Sequence, residues 1–194
     1  VDSLGFEPGD VVVVTGAGSG IGRAIAVAAA AAGLTVAVWD LDTDSAHATA
    51  AEIGEAGHKT VAAAVDIADA GAVTAAMSSA SSAGPVRYLV NNAGPSSASA
   101  LGFDDAVRIA LGGTRGVTEA FLATGTAHSL VNVASVSGTT LGSAPDWYPA
   151  VKAGIAGYTR HLATYRSEEV RANAVAPGLI ATPRMRDGGW TVAQ

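Results

Sequence analysis

Residues Val11–Gly22, VVVVTGAGSGIG, constrain the fold more than any other stretch of this chain. Four consecutive valines read as a strand buried on both faces, because parallel strands run as continuous apolar blocks. Glycines follow at once, and a helical pattern runs from Ile21 to Ala32. A strand feeding a glycine-rich turn and a helix gathers backbone N–H groups and the positive end of a helix dipole at one point. That point suits a pyrophosphate. The fingerprint G-x-G-x-x-G is not met, since Gly16 and Gly18 place Ile21 at its last position. What is met is T-G-x-x-x-G-x-G, on Thr15, Gly16, Gly20 and Gly22. An ordinary tight strand–helix connection is the alternative; the strand before and the helix after favour nucleotide binding.

Strands and helices alternate along the rest of the chain. Strands are expected at Thr35–Trp39, Lys59–Val65, Arg87–Val90, Ser129–Ala134 and Val170–Ala176. Helices are expected from Asp44 to about Ala56, Asp69 to Ser82, Phe103 to Leu122 and Tyr148 to Tyr165. Gly112, Gly113 and Gly116 weaken the third of these, and Pro149 is tolerable in the first turn of the last. Pro95–Leu101 and Ser137–Asp146 read as loops, and Arg184–Gln194 shows no strong pattern. The alternation predicts an α/β fold, a doubly wound parallel sheet of Rossmann type, in one domain spanning residues 1–194. Ligands of such sheets bind beyond the carboxyl ends of the strands. Gly16, Asp40, Asp66 and Asn91 are therefore expected to meet at one crevice.

Asp40 ends the second strand, about twenty residues past the glycine turn, where a carboxylate can bond an adenosine ribose 2′-OH. The same charge repels a 2′-phosphate, and neither Ser19 nor Leu41 supplies a compensating cation. NAD(H) is thus expected in preference to NADP(H). The alternative reading of Asp40 is a helix cap, a role that Asp42 serves equally well. Arg23, in the first turn of the first helix, is a further candidate to reach a phosphate.

Composition narrows the remaining classes. Apolar residues make up 49% of the chain but aromatics only 5%, so the core is built from Ala and Val and suits close helix-on-sheet packing. A net charge of −6 without Lys/Arg clusters argues against a nucleic-acid surface. No apolar run approaches about 18 residues, so no membrane span is expected, and the first residues lack a signal-peptide pattern. The absence of cysteine removes disulfides and thiolate metal sites and fits a cytoplasmic protein. His47, His58, His128 and His161 have no ligand spacing, so no metal site is expected.

Tyr148 and Lys152 lie four apart on a helix and share a face. Lys59 is the only other lysine, and Ser135 follows a strand end where the crevice is expected. A Ser, a Tyr and a Lys can move a proton at an alcohol or carbonyl. Free tyrosine titrates at about 10, so serving as a base near neutrality requires about 4 kcal/mol in favour of the phenolate. A nearby ammonium, helped by a positively charged nicotinamide, supplies charge of the right sign. Spacing alone also admits a packed tyrosine beside a solvated lysine.

The set TGAGSGIG (15–22), Asp40, Asp66, NNAG (91–94), Ser135, YPAVK (148–152) and Pro177-Gly178 resembles the short-chain dehydrogenases/reductases, in order, from about Val11 to Pro183. The resemblance implies hydride transfer between a nicotinamide and a secondary alcohol or ketone. It implies that Tyr148 is the general acid/base, that Lys152 lowers its pKa and binds the nicotinamide ribose, and that Ser135 holds the substrate oxygen. Gly16, Gly20, Ile21 and Gly22 would line the pyrophosphate, and Asp40 the adenosine ribose, with Ser19 and Leu41 beside them in the cofactor set. Asp66 and Ile67 would border the adenine. Asn91, Ala93 and Gly94 would support the central strand end and the cofactor. Pro177, Gly178, Ile180 and Thr182 resemble the segment that holds the nicotinamide. A homodimer or homotetramer is implied, paired through the helix after NNAG and the helix of Tyr148.

Three departures accompany the resemblance. Many members carry an Asn in the helix after NNAG, where it organises a water in the proton relay; Ala110 falls at that position here. The interval from Gly94 to Ala110 and the stretch before Ser129 are short. The chain stops soon after Pro183, where members continue through substrate-covering helices to a last strand. Either the protein is pared down or this chain omits segments of a longer one. Hydroxysteroid, 3-hydroxyacyl and sugar-alcohol substrates all remain open. Two other readings stand beside the oxidoreductase: a dinucleotide-binding sensor or assembly subunit without turnover, and an epimerase or dehydratase of the same fold. The latter generally carry large C-terminal substrate domains.

Overall fold

The computed structural model describes residues 5–183 and Met185; the expectation for Arg184–Gln194 falls outside them, apart from Met185. Six parallel strands form one sheet in the order β3-β2-β1-β4-β5-β6. They are β1 (Val11–Thr15), β2 (Thr35–Asp40), β3 (Thr60–Ala64), β4 (Val86–Asn91), β5 (Ser129–Val133) and β6 (Arg171–Val175). Helices α1 (Gly20–Ala31), α2 (Thr43–Glu55), α3 (Ala70–Ala83), α4 (Phe103–Ala106), α5 (Gly113–Leu122) and α6 (Trp147–Tyr165) connect them. This is the doubly wound Rossmann order, with its switch point between β1 and β4.

The valine block explains the layering. Val11 and Val13 pack into the core under α3, α5 and α6, with Val73, Met77, Phe121 and Leu162. Val12 and Val14 pack into the opposite core under α1 and α2, with Ala26, Ala30, Ala46 and Ile53. Successive strand residues face opposite sides, so a central strand with both faces covered must be apolar throughout. Each fully buried valine contributes on the order of 1.5–3 kcal/mol.

Element limits agree with the sequence to within one or two residues. Asp42 caps α2 by accepting the Ser45 N–H at 2.8 Å, and Asp69 caps α3 by accepting from Gly71 and Ala72. The helix expected over Phe103–Leu122 is present but changes its winding: a π-helical stretch, Val107–Gly112, lies between α4 and α5. No described helix is long and apolar enough to cross a membrane.

A buried amide chain ties four elements together beneath the crevice. Asn91 of β4 donates both amide hydrogens, to Asn132 Oδ1 of β5 at 2.9 Å and to Thr118 Oγ1 of α5 at 3.0 Å. Asn132 in turn donates to Thr159 Oγ1 of α6 at 2.9 Å. Both threonine hydroxyls donate onward to carbonyls of their own helices. Replacing Asn91 with alanine strands the Asn132 acceptor in a dry site, so Asn91→Ala should lower unfolding stability by about 2–3 kcal/mol. Urea denaturation measures this; an unchanged midpoint would contradict the bridging role.

Candidate active site

The glycine turn leaves β1 at Gly16, whose φ of +64° disfavours any side chain. The turn is held from the neighbouring strand by a residue the sequence reading did not single out. Asn92 Nδ2 donates to the carbonyls of Thr15 and Gly16, each at 3.1 Å. The backbone N–H groups of Asn92 and Ala93 both donate to Thr15 Oγ1 at 3.0 Å. The threonine of T-G-x-x-x-G-x-G and the second asparagine of NNAG thus form one clamp. Only the pairing of β1 with β4 reveals this, because the two motifs lie 77 positions apart.

Gly22 completes the turn by close approach. A Cβ there would stand 2.0 Å from the Gly16 carbonyl oxygen and 2.5 Å from Asn92 Nδ2. Gly22→Ala should therefore displace the turn, destabilise the fold by about 1–3 kcal/mol and weaken nucleotide binding roughly tenfold or more. Calorimetric titration with NADH checks the second effect; wild-type affinity would contradict it.

Ser19 precedes α1 in extended conformation and makes no side-chain cap bond, and the first turn of α1 carries no acidic residue. The start of α1 thus carries no side-chain cap on its first N–H groups, which is compatible with an anion site at a helix N-terminus. Arg23 does not contribute there: it is paired with Glu52 of α2 at 2.7 Å.

Asp40 lies at the end of β2, next to the turn. Its carboxylate accepts the Gly18 N–H at 2.8 Å and the Asp42 N–H at 3.1 Å. Since Asp42 serves as the helix cap, Asp40 keeps its carboxylate at the crevice. Leu41, directly after it, is exposed. Beyond β3, Asp66 accepts from the Ala68 N–H at 2.9 Å, and Ile67 is buried against the backbone of α5 at Gly113. The buried side chain of Asn91 turns inward, with its amide committed to Asn132 and Thr118. Ala93 and Gly94 follow on the crevice side of the clamp, and a Cβ on Gly94 would lie 3.8 Å from Ala110 Cβ. Ala110 is buried in the π-helical stretch, in one cluster with Trp147, Val151 and Ile155 of α6.

Ser135 stands just past β5, nearly buried, and its Oγ accepts the Ser137 N–H at 3.2 Å. α6 starts at Trp147, whose N–H is held by Asp146 at 2.8 Å. Tyr148 and Lys152 lie one turn apart on this helix, with Lys152 Nζ 5.9 Å from the centre of the Tyr148 ring. The ammonium donates to the Val133 carbonyl at 2.8 Å, two residues before Ser135. Burial lowers the Lys152 pKa from 10.5 to about 8. Lys152 is thus half-buried and bonded to β5 rather than freely solvated. After β6, the Pro177 carbonyl accepts the Val136 N–H at 3.1 Å. Gly178 and Ile180 follow, and Thr182 comes back to the glycine turn, where a Cβ on Gly20 would be 3.3 Å from its Cγ2.

Every candidate residue thus falls on one edge of the sheet, in the order Asp66, Asp40, Gly16, Asn91, Ser135, Pro177, with Tyr148 and Lys152 beside Ser135. Residues 10–189 match the family model for short chain dehydrogenase. The chain belongs to this family. A 7alpha-hydroxysteroid dehydrogenase of Bacteroides fragilis is 50% identical over 56 residues, 28% of this chain and 22% of that protein. A galactitol 2-dehydrogenase of Cereibacter sphaeroides is 37% identical over 131 residues, 60% of this chain and 51% of its own. An inactive 2-(S)-hydroxypropyl-CoM dehydrogenase 2 of Xanthobacter autotrophicus is 34% identical across 75% of this chain and 67% of its own. Among solved structures, a short chain dehydrogenase from Mycobacterium avium superposes with a TM-score of 0.80 at 32% identity, covering 88% of this chain and 68% of that one. One from Mycobacterium paratuberculosis bound to NAD gives 0.83 at 26%, covering 91% and 74%. The short-chain dehydrogenase match thus spans only about half of the galactitol enzyme's length.

Proposed function

We propose that this chain transfers hydride between NAD(H) and a secondary alcohol or ketone. The observation that carries the reading is the gathering of Ser135, Tyr148 and a half-buried, β5-anchored Lys152 at one end of the crevice, with the glycine turn and Asp40 at the other. Asp40 and Ser135 sit on strands three apart, about 14 Å at ~4.8 Å per strand, a span suited to an extended dinucleotide. The uncapped start of α1 receives the pyrophosphate, Asp40 the adenosine ribose, and Pro177–Thr182 borders the nicotinamide end. A bound nicotinamide would supply the hydride acceptor for the alcohol C–H, while Tyr148, as phenolate, would take the O–H proton as the C=O bond forms. Ser135 holds the substrate oxygen during this exchange, and Lys152 places positive charge where the phenolate forms.

Removal of the Asp40 carboxylate tests the cofactor choice. Hydrogen bonds to charged groups contribute about 1.5–3 kcal/mol, so Asp40→Ala should weaken NAD(H) use roughly 10- to 150-fold in kcat/KM. NADP(H) use should fall less or rise. An unchanged ratio of the two cofactors would rule out this role. Pairing of two copies through α5 and α6 is part of the same reading, checked by light scattering.

Nucleotide binding without turnover is a second reading, and Ala110 is the feature that favours it. The apolar packing of Ala110 against Trp147 leaves no carboxamide at that position, and one relative is itself named inactive. The test is whether NADH binds while no alcohol or ketone in a broad panel is turned over.

A further inference from the structure

Three segments border the Ser135–Tyr148 end of the crevice: residues 93–101 after β4, 136–147 between β5 and α6, and 177–183 after β6. The last two are tied together through the Val136–Pro177 bond. The third segment then crosses to the glycine turn at Thr182. Asp146 is the only charged residue in all three, and its carboxylate faces the Trp147 N–H. The large side chains that these segments expose are apolar: Leu141 at 63%, Leu179 at 78% and Ile180 at 45%. Among the described residues, the one cation at this end is Lys152, already committed to the Val133 carbonyl.

We propose that the substrate is an uncharged secondary alcohol or its ketone with an apolar body. Hydroxy acids, phosphorylated alcohols and coenzyme A thioesters are then discriminated against. The inference rests on the hydride-transfer reading and deepens it. An anionic substrate entering here gives up water for a site where the described residues offer no free ion-pair partner, beside the like charge of Asp146, in a chain of net charge −6. An apolar body instead covers Leu141, Leu179 and Ile180 and removes their surface from water.

The experiment uses matched pairs of alcohols that differ only in charge, such as 4-methylcyclohexanol with 4-hydroxycyclohexanecarboxylate and 2-alkanols with their terminal carboxylates. NADH formation gives kcat/KM, and quenching of NADH fluorescence gives binding of the corresponding ketones. The neutral member should lead by about tenfold or more, the scale on which a pocket discriminates a single unmatched group. Leu141→Lys should narrow or invert that ratio while NADH affinity stays the same. Preference of the wild-type chain for the carboxylates overturns the inference and leaves the hydride-transfer reading intact. Arg184→Ala and Arg186→Ala then tell whether the arginines that follow in sequence hold the anion. Binding of NADH with no turnover of either member of any pair overturns both.

Discussion

Tyr148→Phe should reduce alcohol oxidation by about 10²–10⁴-fold in kcat, the range over which a positioned acid/base acts, with little change in NADH affinity. The substitution removes one oxygen from a ring seated between Trp147, at 5.7 Å between centroids, and the Lys152 ammonium. Packing at the start of α6 is preserved, so thermal unfolding should be unaffected. A structural tyrosine predicts the reverse: activity retained, or activity and stability lost together. Steady-state rates alongside NADH titration separate these outcomes. Equal turnover by the mutant would remove Tyr148 from the mechanism.

Lys152→Met should abolish activity and at the same time stabilise the protein near neutral pH. A fall from 10.5 to about 8 corresponds to about 3 kcal/mol against burying the ammonium, at about 1.4 kcal/mol per unit. Loss of the ammonium's bond to Val133 returns about 1.5–3 kcal/mol, which leaves a net gain of at most about 1.5 kcal/mol for methionine. The pH dependence has a definite sign. Below about pH 8 the lysine is protonated folded and unfolded, and the full burial cost is present. Between about 8 and 10.5 the unfolded chain binds more protons, so wild-type stability rises with pH. The advantage of the methionine variant should therefore shrink across that window. Urea midpoints of both proteins at pH 7 and pH 10 measure the difference. A variant less stable than wild type at pH 7 would show that the ammonium stabilises the fold instead. A more stable methionine variant without activity would mean that function is maintained here at the expense of stability, as expected where a poorly solvated charge is kept for chemistry.

Local patterns carried most of the architecture. The valine block, the caps at Asp42 and Asp69 and the polar residue closing each strand are short-range signals, and the structure places them within a residue or two of the expected limits. The convergence of Asp40, Asn91 and Ser135 followed from parallel topology, which fixes the edge of the sheet on which strand ends meet. Contacts between distant segments were less accessible. Asn92 read as an unremarkable neighbour of Asn91 until β1 and β4 paired and turned its amide onto the glycine turn. The partners of Arg23 and Lys152 likewise depend on which helix packs beside them. Glu52 faces Arg23 only because α1 and α2 lie side by side, and Val133 meets Lys152 only where α6 crosses β5. The π-helical winding around Ala110 has no sequence signature beyond glycines that weaken the helix.

The opening stretch, Val11–Gly22, proves to be half of a two-part device. The turn is shaped by its own glycines and locked by Asn92, and it leaves the start of α1 open toward the strand ends that carry Asp40 and Ser135. Hydride transfer is proposed at the far end of that crevice. The direct measurement is the appearance of NADH absorbance when the wild-type protein is given NAD and a panel of secondary alcohols, with Tyr148→Phe assayed in parallel. NADH should form in proportion to protein with at least one alcohol, and this formation should be lost in the variant. Tight NADH binding without hydride transfer to or from any alcohol or ketone in the panel would contradict it.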